Sequence, residues 1–249
     1  MPGVQTTSTF PDHPDGSMRL YEARPDGPAG PGAARAAVIV IQEAFGVNDH
    51  IEDVTRRFAD AGYHAVAPDL FHRAGGGTAP YDDFAQVMPL FEGLDSDEAL
   101  LRDLDAARRH LHEAGWADSQ IGIVGFCFGG RLSLLACLHR PLGAGVGFYG
   151  GGIVNTRFPM FPAFVDRVHE LAVPWLGLFG DLDGSIPPED VEQLREALSS
   201  ASAPTEIVRY AEAGHGFHCD VRPDYAATEA ADAWARTIAW FEAHLGDAR

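Results

Sequence analysis

Cysteine is scarce in this chain. Only Cys127, Cys137 and Cys219 occur among 249 residues. The number is odd and the spacing fits no zinc motif, which excludes a disulfide framework and a cysteine-bound structural zinc. Basic residues are also few: 18 Lys and Arg stand against 36 Asp and Glu, a formal net charge of -18. Such a field repels nucleic-acid backbones and anionic lipid, so neither is an expected partner. No apolar stretch is long enough to span a bilayer. Met1 to Phe10 lacks the basic segment and apolar run of a signal peptide. The expectation is a cytoplasmic protein with reduced thiols. Repeats and linkers are absent too, so 1–249 reads as a single domain whose first 35 residues are partly irregular.

What is present is an alternation of two hydrophobic patterns. In the N-terminal segment only Ser17 to Ala23 looks strand-like, and Pro25 to Ala34 reads as a turn or loop. Ala36 to Ile41 is a continuous β-branched and apolar run, as in a strand buried on both faces. His50 to Gly62 follows with Ile51, Val54 and Phe58 at helical spacing and a glycine at its stop. Strands are then predicted at His64 to Ala67, Ile121 to Gly125, Ala144 to Tyr149, Val173 to Phe179 and Glu206 to Tyr210. Helices are predicted at Asp95 to Gly115, Gly129 to Leu138, Pro188 to Ser199 and Asp224 to Leu245. The last should bury Trp234, Ile238, Phe241 and Leu245. Arg73 to Phe91, with glycines at 75 to 77, reads as a loop that could border a pocket. This order predicts an α/β fold with a mostly parallel sheet covered by helices on both faces.

The strongest local signal is Gly125-Phe126-Cys127-Phe128-Gly129-Gly130, between an apolar strand and a helix. It has the G-x-S-x-G form of a nucleophile elbow, with cysteine in place of serine. A sharp turn there needs small neighbours so that strand and helix backbones can pass closely. It also puts the thiol at a helix N-terminus, whose positive dipole end favours a thiolate. A buried cysteine in a glycine-rich turn is the plain alternative. A dinucleotide loop is a second one, opposed by the bulky Phe126 and Phe128 and by the missing G-x-G-x-x-G. Cys137, among leucines, and Cys219 read as structural.

A thiol nucleophile needs a base that also protonates the leaving group, and a carboxylate to hold that base. In the α/β-hydrolase order of nucleophile, acid, histidine, the histidine is His215, in Gly214-His215-Gly216. The acid is Asp181 or Asp183, in Gly180-Asp181-Leu182-Asp183-Gly184-Ser185-Ile186-Pro187, and pattern alone leaves both open. Both loops follow strands, at the end of a parallel sheet where active sites form. His215 and His218 could instead be a metal pair, but no clear third ligand stands near, and no metal or cofactor is expected.

Together these segments resemble the dienelactone hydrolase, or carboxymethylenebutenolidase, family of the α/β-hydrolase superfamily. The resemblance runs from about Ala36 to Leu245. It rests on Gln42-Glu43-Ala44-Phe45-Gly46-Val47-Asn48, Pro68-Asp69-Leu70-Phe71, the elbow, and Ala213-Gly214-His215-Gly216-Phe217. It implies a carboxylic ester hydrolase that cleaves a small ester or lactone by a Cys127–His215–Asp183 triad and a thioester. The family's acid lies three residues before an Ile-Pro pair, which selects Asp183. The resemblance further implies that Glu43 contacts the resting thiol and that the amides of Ala44 and Phe128 form the oxyanion hole. Arg73 is similar in place to one of two arginines that bind the substrate carboxylate, and Tyr149 to a tyrosine lining the pocket. The second arginine would fall at Cys219; Arg222, three residues on, is the nearest replacement. The expected partner is a small-molecule ester or lactone, and the expected state a monomer or small homo-oligomer. A general carboxylesterase, an acyltransferase and a non-catalytic binding protein on the same fold are the rival readings.

Overall fold

A computed structural model describes residues 3–27 and 29–246. The chain divides into two compact units, one reaching Ile123 and taking back Leu245, the other running from Val124 to His244. No helix among the described residues is long and apolar enough to cross a membrane.

In the first unit β3 (Ala37–Ile41) and β4 (His64–Pro68) are buried along their whole length and pair in parallel. β2 (Leu20–Pro25) joins β4 antiparallel, and β1 (Val4–Thr9) joins β2 antiparallel. β1 was not anticipated. Its sequence, Val-Gln-Thr-Thr-Ser-Thr, is polar and mostly exposed, so no apolar alternation announces it; it is held by backbone pairing with β2. α1 (Asp49–Asp60) begins where Asn48 Oδ1 accepts the Ile51 N–H at 3.2 Å, a side-chain cap for an otherwise unpaired donor. It buries Ile51, Val54 and Phe58 as expected. α2 (Val87–Phe91) and short 3-10 turns at His72–Ala74, Phe84–Gln86 and Glu92–Leu94 correct the expectation of a plain loop from Arg73 to Phe91. Val87, Phe91 and Leu94 are buried there, so the segment is anchored by its own apolar side chains. α3 (Asp97–Glu113) is capped by Ser96.

A buried polar chain runs through this unit. Trp116 Nε1–H donates to His64 Nδ1 at 3.0 Å, which leaves the proton on His64 Nε2, 3.1 Å from Glu22 Oε1. His110 Nε2 lies 2.8 Å from Glu22 Oε2. Burial alone would raise the Glu22 carboxyl, but the two imidazoles outweigh it and hold Glu22 well below the usual carboxylate range.

In the second unit β5 (Ile121–Phe126), whose first residues belong to the other unit, leads to α4 (Phe128–His139), β6 (Ala144–Phe148), β7 (Trp175–Gly180), α5 (Pro188–Leu198), β8 (Thr205–Tyr210) and α6 (Ala227–His244). β5, β6, β7 and β8 are neighbours in that order, with β6–β7 and β7–β8 parallel. Strand–helix–strand succession with short links places the loops after β5, β6, β7 and β8 at one end of the sheet. α6 starts three residues later than expected and turns a different stripe inward. Ala230, Ala233, Thr237 and Phe241 are buried, whereas Trp234 and Ile238 are only half-buried. Small residues at 230, 233 and 237 allow close packing of the helix, and the larger side chains sit at its flanks.

Candidate active site

The elbow is built from backbone strain and missing side chains. Cys127 has φ +53°, unusual for a residue with a Cβ, and its N–H donates to Phe148 O at 3.0 Å. A Cβ on Gly125 would overlap the backbone of Gly129, and one on Gly130 would overlap the Phe148 carbonyl. Only glycine at these two positions lets β5, α4 and the end of β6 approach so closely. The thiol therefore stands at the N-terminus of α4, half-buried and not in a disulfide. Phe128 is the first residue of that helix, so its N–H has no carbonyl partner within the helix.

The loops after β7 and β8 bring the other two groups. His215 Nε2 lies 3.1 Å from Cys127 Sγ, and His215 Nδ1 lies 2.6 Å from Asp183 Oδ2. The other carboxylate oxygen, Oδ1, accepts the Ser185 N–H at 2.8 Å and the Ser185 hydroxyl at 2.6 Å. Asp183 is buried, whereas His215 keeps part of its ring exposed. Burial disfavours both charged forms. For His215 the negative sulfur of Cys127 and the Asp183 carboxylate overcome it and raise the imidazole to about 10. For Asp183 the hydrogen bonds from His215 and Ser185 overcome it and hold the carboxyl below its ordinary value. The imidazole is therefore held between the sulfur and the Asp183 carboxylate, both of which favour its protonated form.

Of the two competing aspartates, Asp183 is the one on the imidazole. Asp181 turns to Arg209, whose Nε lies 2.6 Å away. Tyr149 is fully buried at φ +39°, and its ring centroid lies 5.2 Å from that of His215, so it backs the imidazole. Phe217, 5.4 Å from Tyr149, extends this wall. His218 does not join His215: its ring stacks on Phe126 and on Trp234. Cys137 and Cys219 are buried, as expected, and burial pushes the Cys137 thiol up.

Glu43 and Ala44 follow β3 in the first unit, and both are buried. Arg73, also in that unit, departs from its expected role as a substrate anchor. Its Nη1 lies 2.9 Å from Asp103 Oδ2 and its Nη2 2.9 Å from Asp15 Oδ2, with a further bond to Ala99 O. The buried Asp103 and the exposed Asp15 thus already occupy the guanidinium. Arg222 lies flat against Gly216, where a Cβ would meet its Nε at 2.9 Å, and has Asp224 3.9 Å away.

Two residues escaped the sequence reading. Ser185 was legible in principle, because an Asp followed two residues later by Ser forms a side-chain turn. Arg131, buried one turn into α4, donates to Pro162 O at 2.7 Å and Gly152 O at 3.3 Å. Its guanidinium also lies 5.0 Å from the Phe164 ring. It pins the segment after β6, and nothing local in the sequence marks those distant carbonyls.

The Dienelactone hydrolase family profile matches residues 18–245. A protein of Escherichia coli O157:H7, provisionally named a carboxymethylenebutenolidase, is 43% identical over 242 residues, covering 92% of this chain and 84% of the relative. The carboxymethylenebutenolidase of Pseudomonas putida is 33% identical over 213 residues, covering 84% of this chain and 86% of its own. A crystal structure from Klebsiella pneumoniae subsp. pneumoniae, provisionally described as a dienelactone hydrolase, superposes with a TM-score of 0.87 at 38% identity. The match covers 96% of this chain and 99% of the other.

Proposed function

Since this chain belongs to the dienelactone hydrolase family, has its α/β-hydrolase fold and is a carboxylic ester hydrolase, we propose that it cleaves a small ester or lactone through Cys127, His215 and Asp183. The observation that carries this reading is the unbroken line from Cys127 Sγ through the His215 ring to Asp183.

The cycle follows from those contacts. The Cys127 thiolate attacks the substrate carbonyl carbon, and the carbonyl π electrons move to oxygen. The oxyanion accepts the Phe128 N–H at the start of α4. When the intermediate collapses, the C–O bond to the leaving group breaks. The leaving oxygen takes the proton of the His215 imidazolium, and a thioester remains on Cys127. The neutral imidazole then removes a proton from water as it attacks the thioester. The second collapse expels the thiolate, restores the imidazolium and releases the acid. Asp183 fixes the ring so that Nε2 faces sulfur, and the buried Tyr149 packs against the imidazole rather than bordering the substrate. Every step is carried by side chains, backbone amides and water. The three cysteines form no disulfide, which suits a reducing, cytoplasmic setting.

The test is hydrolysis of an activated aryl ester and of dienelactone by the wild type and by Cys127→Ala. We expect turnover to vanish in the variant with the fold unchanged; full activity without the thiol removes the reading. Preference for the anionic lactone over a neutral aryl ester would identify recognition of a substrate carboxylate.

A further inference from the structure

A cavity of about 300 Å³ opens in the second unit between the segment after β6 and the start of α5. None of Cys127, Asp183 or His215 lines it. Its floor is apolar, from Ile153, Phe179, Val191 and Leu194, and its rim carries Asn155, Arg157, Ser185 and Asp190. The size falls at the lower end of small-ligand pockets, and an apolar floor with a few polar rim groups is their usual make-up.

The rim is asymmetric. Asp190 is satisfied by the Asn155 amide, whose Nδ2 lies 2.9 and 3.0 Å from its two oxygens. Arg157 is not matched in this way. Its guanidinium lies over Gly151, where any side chain would overlap it, and donates to the Ser185 carbonyl. Among the described residues it has no carboxylate partner. In a chain of net charge -18 whose 18 basic residues are all arginines, most guanidiniums meet a carboxylate; Arg109, bonded to Asp12 O, is another exception, but it lies away from this cavity. Arg19, Arg73, Arg195, Arg209 and Arg236 all have a carboxylate partner. Four of its five N–H donors remain for a ligand, and a planar fork matches a carboxylate bidentately.

We propose that this cavity is a second small-molecule site that takes a short aliphatic carboxylate. The anion sits on Arg157 and the alkyl chain on Ile153, Phe179, Val191 and Leu194. Ser185 links it to the triad, since the residue whose carbonyl holds Arg157 also gives its hydroxyl to Asp183. If the proposed hydrolysis holds, the acid that it releases belongs to the same chemical class as the ligand of this site.

The experiment is calorimetric titration of 4-methylpentanoate and of 4-methylpentan-1-ol into the full chain at pH 7. The proteins are the wild type, Arg157→Gln, Arg157→Lys and Cys127→Ala. The acid should bind about tenfold or more tightly than the alcohol. Arg157→Gln should erase that preference, Arg157→Lys should keep part of it, and Cys127→Ala should leave it intact. Amide shifts should move at Gly151, Val191 and Leu194. Equal binding of acid and alcohol, no binding, an unchanged preference in Arg157→Gln, or shifts centred on Phe128 and His215 instead would each overturn the proposal. None of these readouts requires turnover, so an inactive wild type would refute the hydrolytic reading and leave this one to its own result.

Discussion

Ser185 gives both its backbone N–H and its hydroxyl to one oxygen of Asp183, at 2.8 and 2.6 Å, leaving the other oxygen to His215. The carboxylate is thus clamped on one side and directed on the other. Removing the hydroxyl in Ser185→Ala should free Asp183 to rotate and weaken its hold on the imidazole. We expect kcat for an aryl ester to fall by about threefold to tenfold, with Ser185→Thr restoring most of it. Asp183→Asn should cost about a thousandfold or more, because it stabilises the wrong ring tautomer. Steady-state kinetics of the three variants checks both expectations.

The contact between Cys127 Sγ and His215 Nε2 predicts an unusual titration. The imidazole is raised from its ordinary 6.5 to about 10, and the negative sulfur is a principal cause. The His215 Hε1 proton, followed by NMR, should therefore titrate near 10 in the wild type and at distinctly lower pH in Cys127→Ala. Titration near 6.5 in the wild type would mean that the resting pair is neutral.

The same shift has a sign for stability. A histidine raised in the folded state stabilises fully below its unfolded value and loses that contribution as the pH rises through the folded one. The window is therefore about 6.5 to 10. Between these values the melting temperature of the wild type should fall more steeply than that of His215→Gln. Parallel curves would contradict the linkage.

Glu22 carries the opposite sign. Its carboxyl is held below the usual range by His64 and His110, so its contribution is present above 4.5 and is lost as the pH falls through the lower folded value. Glu22→Ala should destabilise the chain at neutral pH by about 2 kcal/mol, since it leaves the buried His64 and the half-buried His110 without their carboxylate acceptor. Urea unfolding at pH 7 and pH 4 should show that difference shrinking in acid.

Arg73 separates structure from recognition. With Asp103 fully buried beneath it, Arg73→Ala removes its guanidinium partner, leaves only His13 and His72 against the carboxylate, and should lower stability by about 2 kcal/mol. The ratio of kcat/KM for an anionic and a neutral ester should hardly change. A collapse of that ratio without loss of stability would restore Arg73 as a substrate anchor.

Much of this was legible before any coordinates. The apolar runs of β3, β5 and β6, the 3.6-residue spacing of α1 and α3, and the glycines around Cys127 depend on contacts a few residues apart. Elements without a periodic signal were not legible. β1 is polar, and its existence depends on pairing with β2. In α6 the strongest apolar stripe was not the most buried one, because small side chains won the closest approach.

The sequence by itself determined the elbow, the chain order of thiol, acid and imidazole, and the family, since each is written in short segments whose geometry the backbone enforces locally. Only the tertiary structure decided which aspartate reaches His215, because Arg209, 28 residues from Asp181, draws that rival away. It also decided that Arg73 faces Asp15 and Asp103, 58 and 30 residues distant. A charged side chain goes to the nearest compensating charge in space, and chain positions so far apart become neighbours only after folding.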